Sequence, residues 1–151
     1  MLQALCVPSL ARALGWAGII PFVALSLSAV FTIGSISQTW AMDALALYGA
    51  VILSFLGGAV WGLTLGHEGE ALRPGAQGLL IGIAASLAGF GGALTPPGFG
   101  APLMIAGFAA MLIYDLGAIA RGLLPQWYRP LRIGLSAAAT GSLAFAAVFG
   151  A

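Results

Sequence analysis

Lysine and asparagine are both missing from this 151-residue sequence, and all charged residues together make up only 6% of it. A soluble domain carries roughly a quarter charged residues, because its surface must face water. With 61% hydrophobic residues and a mean hydropathy of +1.07, this chain has too little charge to cover a globule. Lipid is the solvent that tolerates such a surface. The net charge of +1 is too small for a nucleic-acid-binding protein. A single cysteine, Cys6, excludes an intramolecular disulfide. The five basic residues are all arginine, a bias that fits a GC-rich bacterial gene.

What the sequence has instead is long apolar runs. A bilayer core of roughly 30 Å needs about 20 apolar residues per helix. Runs of that kind cover about Ala13 to Ile33, Ala44 to Leu65, Gln77 to Leu94, Pro102 to Ala120 and Leu131 to Phe149. Each is apolar on all sides rather than along one stripe, which argues against helices buried in a soluble core. The fold class is therefore an all-α, polytopic transmembrane bundle of about five helices in a single domain over residues 1–151. Connections and spans use up the length, leaving no room for a separate soluble domain. The first run contains Pro21, which a membrane helix accommodates by kinking against its neighbours. That run is too long for a signal-peptide core, and no clean cleavage site follows it.

Between the runs, Gly34 to Asp43 reads as a loop, with Trp40 as an interface anchor. His67, Glu68, Glu70 and Arg73 belong to an aqueous loop. The stretch Thr95 to Gly100, with two consecutive prolines, predicts a tight turn. Pro130 stands where the first residue of a helix is expected, since its missing N–H costs nothing there. Arg12, Arg73, Arg121, Arg129 and Arg132 all fall at the N-terminal, second-loop and fourth-loop ends. The positive-inside rule then places the N-terminus in the cytoplasm and the C-terminus outside.

Small residues recur every fourth position in the second run, at Ser54, Gly58, Gly62 and Gly66. Such positions stack on one helix face and allow close approach of another helix. Packing within the bundle is the simpler reading; a homo-oligomer or a protein partner is the other. Gly78, Gly82 and Ser86 repeat the pattern in the third run, and Gly134, Ala138 and Ser142 in the fifth.

Asp115 is the one carboxylate well inside a run, where ionised groups are costly. It reads either as a proton-handling or ligand-binding group, or as one half of an ion pair clamping two helices. Arg121 lies six positions on, off the same helical face, whereas Arg132 sits in the first turn of the antiparallel fifth helix. The clamp with Arg132 is the simpler geometry. His67, Glu68 and Glu70 make too thin a set for a metal site. Tyr48 and Trp127 read as interface residues, while Trp61 lies deeper and its indole N–H requires a partner. No phosphate loop, nucleophile elbow, zinc motif or haem-attachment motif occurs, so no catalytic residue, metal or cofactor is assigned.

Several segments resemble a known family. They are Gly15-Trp16-Ala17-Gly18-Ile19-Ile20-Pro21-Phe22, the stretch Tyr48 to Gly58 followed by Trp61-Gly62, and Tyr114-Asp115 with Arg121. The run Pro125-Gln126-Trp127-Tyr128-Arg129-Pro130-Leu131-Arg132 completes the set. They are similar to the family called domain of unknown function 3429, which includes proteins like transmembrane protein 69. Val60 stands where members often carry a polar residue. The resemblance implies a small multi-pass protein of bacterial inner or mitochondrial membranes, and it supplies no activity. Membrane lipid is the expected surrounding. The leading functional expectation is a non-enzymatic accessory or assembly component of an inner-membrane complex. A proton or small-solute transporter built on Asp115 is the second, and a lipid- or quinone-binding protein with an aromatic groove near Trp61 the third.

Overall fold

The computed structural model of the protein describes residues 2–31, 33–66 and 76–150, with side chains from residue 9 onward. These residues form α1 (Leu2–Ala17), α2 (Ile19–Val30), α3 (Gln38–Gly66), α4 (Ala76–Leu94), α5 (Pro97–Ala120) and α6 (Tyr128–Phe149). No strand occurs among them. Five stretches are long and apolar enough to cross a membrane: Ser9–Val30, which joins the end of α1 to α2, and then α3 to α6. His67, Glu68, Glu70 and Arg73 lie outside the described residues.

The first span breaks at Gly18 because Pro21 has no N–H to return to the carbonyl of Ala17. The Gly18 amide instead closes α1, bonding to the carbonyls of Leu14 at 3.1 Å and Gly15 at 3.0 Å. The second span starts at Gln38, earlier than the loop expected over Gly34 to Asp43 allows. Ser37 is the reason. Its hydroxyl accepts the Trp40 amide at 3.2 Å and its carbonyl accepts the Ala41 amide at 3.0 Å, the two bonds of an N-cap. Gln38 also donates its side-chain amide to the Val30 carbonyl at 2.9 Å, tying the start of α3 to the end of α2. The reversal between them passes through Gly34, at φ +64°.

The fourth span likewise begins at Pro97, inside the stretch expected to be a turn. Proline at the first helical position loses no bond, so the turn shrinks to Thr95 and Pro96. The fifth span starts at Tyr128, which puts Pro130 third rather than first, still within the turn that needs no amide donor. Between these spans α5 ends in a Schellman motif. Gly122, at φ +78°, donates to Ile119 at 3.0 Å, and Leu123 donates to Ala118 at 2.9 Å. That tight closure brings the start of α6 beside the end of α5.

Helix α3 touches α2, α4, α5 and α6, and its largest interface is with α4. Helix α2 packs on α3 and α6, while α4 and α6 each flank α5. The centre is filled by Phe22, Leu45, Leu53, Met104, Phe108 and Met111. Phe22 meets the edges of Tyr48 and Phe108 at centroid distances of 4.9 and 5.9 Å.

The polarity of this bundle is reversed relative to a soluble protein. Ser26, Ser28, Asp115, Arg132, Ser136 and Ser142 are buried, whereas Leu80, Phe99 and Ile113 are 70%, 77% and 72% exposed. Such a surface is stable only against hydrocarbon.

The α3–α4 contact corrects the expectation about small residues. Gly58, Gly62 and Gly66 face away from the bundle, where an added Cβ meets nothing within 4 Å, and Ser54 is exposed beside them. Among the described residues, the three glycines of the stripe therefore make no close packing contact. Close approach is made by Gly57, one residue earlier, whose missing side chain admits the Gly82 carbonyl of α4. A Cβ on Gly82 would sit 2.7 Å from the Gly57 carbonyl, and one on Gly89 would sit 2.9 Å from the Ala50 backbone. The α4 stripe of Gly78 and Gly82 is buried in this interface.

Candidate functional site

The polar centre of the bundle lies where the Schellman turn folds α6 back along α5. Asp115 is five residues from the end of α5 and Arg132 is the fifth residue of α6. Antiparallel neighbours joined by so short a loop present these two positions to each other. Arg132 donates its Nε–H to Asp115 Oδ2 in a buried ion pair. One turn further along α6, Ser136 accepts the Nη1–H of Arg132 at 3.1 Å. Both charges are almost fully removed from the surroundings, Asp115 at 4% exposure and Arg132 at 2%. The Nη2 nitrogen is also buried, and among the described residues no hydrogen-bond acceptor reaches it.

Arg121, at the C-cap of α5, and Arg129 are exposed and do not join the pair. Arg12 stacks over the Trp127 ring at 5.5 Å from its centroid, so the first span and the α5–α6 loop are tied at the same end. Trp127 in turn meets the edge of Tyr128 at 5.9 Å.

Two cavities border the pair, Asp115 lining one and Arg132 the other. The smaller, about 240 Å³, is lined by Asp115 together with Leu63, Leu124, Pro125 and Trp127. The larger, about 440 Å³, lies between the first span, α3 and α6, and Arg132 forms part of its wall. Gly15, Gly18, Phe22, Phe55, Phe108 and Leu135 supply much of the rest. Leu56, Ala59 and Tyr128 line both. The larger cavity is thus almost wholly apolar, with Arg132 and Tyr128 as its two polar lining residues. Leu14 and Phe55, 65% and 69% exposed, mark its rim toward the bilayer.

Two aromatic side chains bond to backbone carbonyls of neighbouring helices or breaks. Tyr48 has a bonding role inside the bundle: its hydroxyl donates to the Gly18 carbonyl at 2.8 Å, at the break in the first span. Trp61 does find a partner, its indole N–H donating to the Leu79 carbonyl at 3.0 Å. It lies on the α4 side of α3, however, where a Cβ on Gly82 would sit 2.8 Å from its ring. The aromatic-lined cavity is therefore on another face of α3, around Phe22, Phe55, Phe108 and Tyr128.

Ser136, Gly15 and Gly18 were not singled out individually from the sequence. Ser136 carried a usable signal, since it follows Arg132 by four positions and so shares its helix face. Among the described residues no group of three or more His, Cys, Asp or Glu side chains is placed to hold a metal ion.

These features define a class: a five-span helical membrane protein with a self-neutralised ion pair at one end of its core. The chain belongs to the family described as protein of unknown function DUF3429, whose model matches residues 7–148. No curated protein and no solved structure matches it.

Proposed function

We propose that this protein is a membrane-embedded binding protein for an apolar molecule, held in the cavity between the first span, α3 and α6. The observation that carries this reading is the cavity of about 440 Å³, apolar except for Arg132 and Tyr128. Small-molecule sites typically occupy roughly 300–1,000 Å³ and are lined mainly by apolar and aromatic groups with a few fixed polar ones. The rim residues Leu14 and Phe55 would let a ligand enter sideways from the bilayer. In this reading the protein sits in a bacterial inner membrane and performs no covalent chemistry.

Isolation in native lipid discs, followed by extraction and mass spectrometry, tests the reading. A molecule enriched over bulk lipid is expected with the wild-type chain. It should be lost from Ala59→Trp, which fills the cavity from an exposed wall position without cutting into the core. Equal lipid profiles for both proteins would overturn the proposal.

A second reading, an accessory component of a larger membrane complex, is supported by the outward stripe of α3. Gly58, Gly62 and Gly66 are bare, and nothing among the described residues lies within 4 Å of a Cβ added there. In lipid, such faces associate by close van der Waals packing. A partner or a second copy that co-purifies with the wild type and is lost from a Gly58→Leu, Gly62→Leu double variant would support it. Retention of the partner by that variant would reject this face.

A further inference from the structure

We infer that the molecule held in the larger cavity is an anionic phospholipid, with an acyl chain in the cavity and its headgroup on Arg12. The inference rests on the binding reading above and names the class of its ligand.

Arg12 bridges two walls of the cavity at one end. On the first span the lining begins at Ala11, Leu14 and Gly15, and on α6 at Tyr128 and Leu131. Arg12 follows Ala11 and shares a side of α1 with Gly15, three positions on. Its guanidinium lies over the Trp127 ring, 5.5 Å from the centroid, and Trp127 directly precedes Tyr128. The side chain thus crosses from one wall to the other. Contact with the ring face holds the guanidinium there. Arg12 is exposed, so a headgroup at this mouth can reach it.

Charge selects an anion. Arg12, Arg121 and Arg129 are exposed at this end, and Asp115 is engaged by Arg132. The other described carboxylate, Asp43, is in the second turn of α3, at the opposite end of the bundle. Among the described residues no carboxylate therefore pairs with Arg12. A free inorganic anion would gain nothing from the apolar walls. A zwitterionic lipid would bring a further cation to an end that already carries three. A lipid with a net negative head satisfies both requirements. Its phosphate accepts from the guanidinium, and its chain lies along Phe22, Phe55, Phe108 and Leu135 and leaves past Leu14.

The full chain, reconstituted in discs of equal phosphatidylglycerol and phosphatidylcholine with identical acyl chains, provides the test. Lipids retained after transfer to detergent are counted by native mass spectrometry. The wild type should retain about fivefold more phosphatidylglycerol, the factor that one interfacial arginine supplies. Arg12→Gln should lower that ratio by at least about threefold, and Ala59→Trp should remove retained lipid of both kinds. A ratio unchanged by Arg12→Gln overturns the inference, as does a phosphatidylglycerol excess that survives Ala59→Trp. Equal retention of the two lipids, lost from Ala59→Trp, overturns the inference and leaves the binding reading in place. Equal retention that Ala59→Trp does not alter, or no retained lipid at all, overturns both. Arg12 is exposed, so Arg12→Gln leaves the core untouched and decides alone if Ala59→Trp does not fold.

Discussion

Arg132 and Asp115 neutralise each other where α6 folds back on α5, and neither is more than 4% exposed. A buried pair of this kind stabilises less than its short contact suggests, because both ions lose their hydration on burial. Removing one partner is different, since the other is left charged and alone. Asp115→Ala should therefore destabilise the bundle by about 3–5 kcal/mol. The double replacement Asp115→Leu, Arg132→Met should recover most of that loss, because it removes both ions and keeps the volume. Thermal unfolding of the purified chains in detergent measures both. Equal losses for the single and double variants would show that packing at this point, not charge, holds α5 to α6.

The glycines of α3 separate by face. Gly57→Ala would drive a Cβ into the Gly82 carbonyl, a backbone atom with nowhere to move. Overpacking of this kind costs about 1–3 kcal/mol. Gly58→Ala and Gly62→Ala meet nothing within 4 Å, and alanine is favoured over glycine in a helix by about 1 kcal/mol. The first change should lower the unfolding temperature and the other two should leave it level or raise it. Similar losses at all three positions would mean that the outer stripe is packed after all, by a neighbouring molecule.

Tyr48 links the middle of α3 to the break in the first span through the Gly18 carbonyl. Tyr48→Phe retains the ring against Phe22 and deletes only the hydrogen bond. In a membrane interior a single such bond is worth roughly 0.6 kcal/mol and at most about 2. A small loss of stability is expected, accompanied by faster amide exchange around Gly15 to Ile19. Unchanged exchange there would show that the break is held by Pro21 and side-chain packing alone.

Much of this is legible in the sequence, and the limits have physical causes. A rotation of 100° per residue puts Arg121 off the Asp115 face, and an antiparallel α6 starting near Pro130 brings Arg132 to it; sequence spacing is enough for that. The glycine pattern was not enough. Gly57 and Gly58 are adjacent and so point to faces about 100° apart. Both belong to runs of small residues, and only the position of α4 decides which is covered. The start of α3 is hidden in the sequence because the polar residues of Gly34 to Asp43 suggest water, whereas Ser37 supplies a cap. The cavity was out of reach altogether. It is bounded by residues from four of the spans, and no periodicity within one helix reports a gap between them.

Orientation in the membrane supplies the last prediction. Arg12, Arg121, Arg129 and Arg132 gather at the end where Trp127 and the Schellman turn lie. Gly150, capping α6, lies a full span of 22 residues away at the other end. Five spans send the two ends of the chain to opposite sides. Arginines near short loops are retained in the cytoplasm, so a C-terminal phosphatase fusion should be active and a C-terminal green fluorescent protein fusion dark. Replacing Ser35 and Ser37 with arginine, together with Arg12→Gln, weakens the bias and should yield a mixture of both reporters. A bright fluorescent fusion of the unaltered chain would place the arginine end outside, and charge would then have no part in setting its topology.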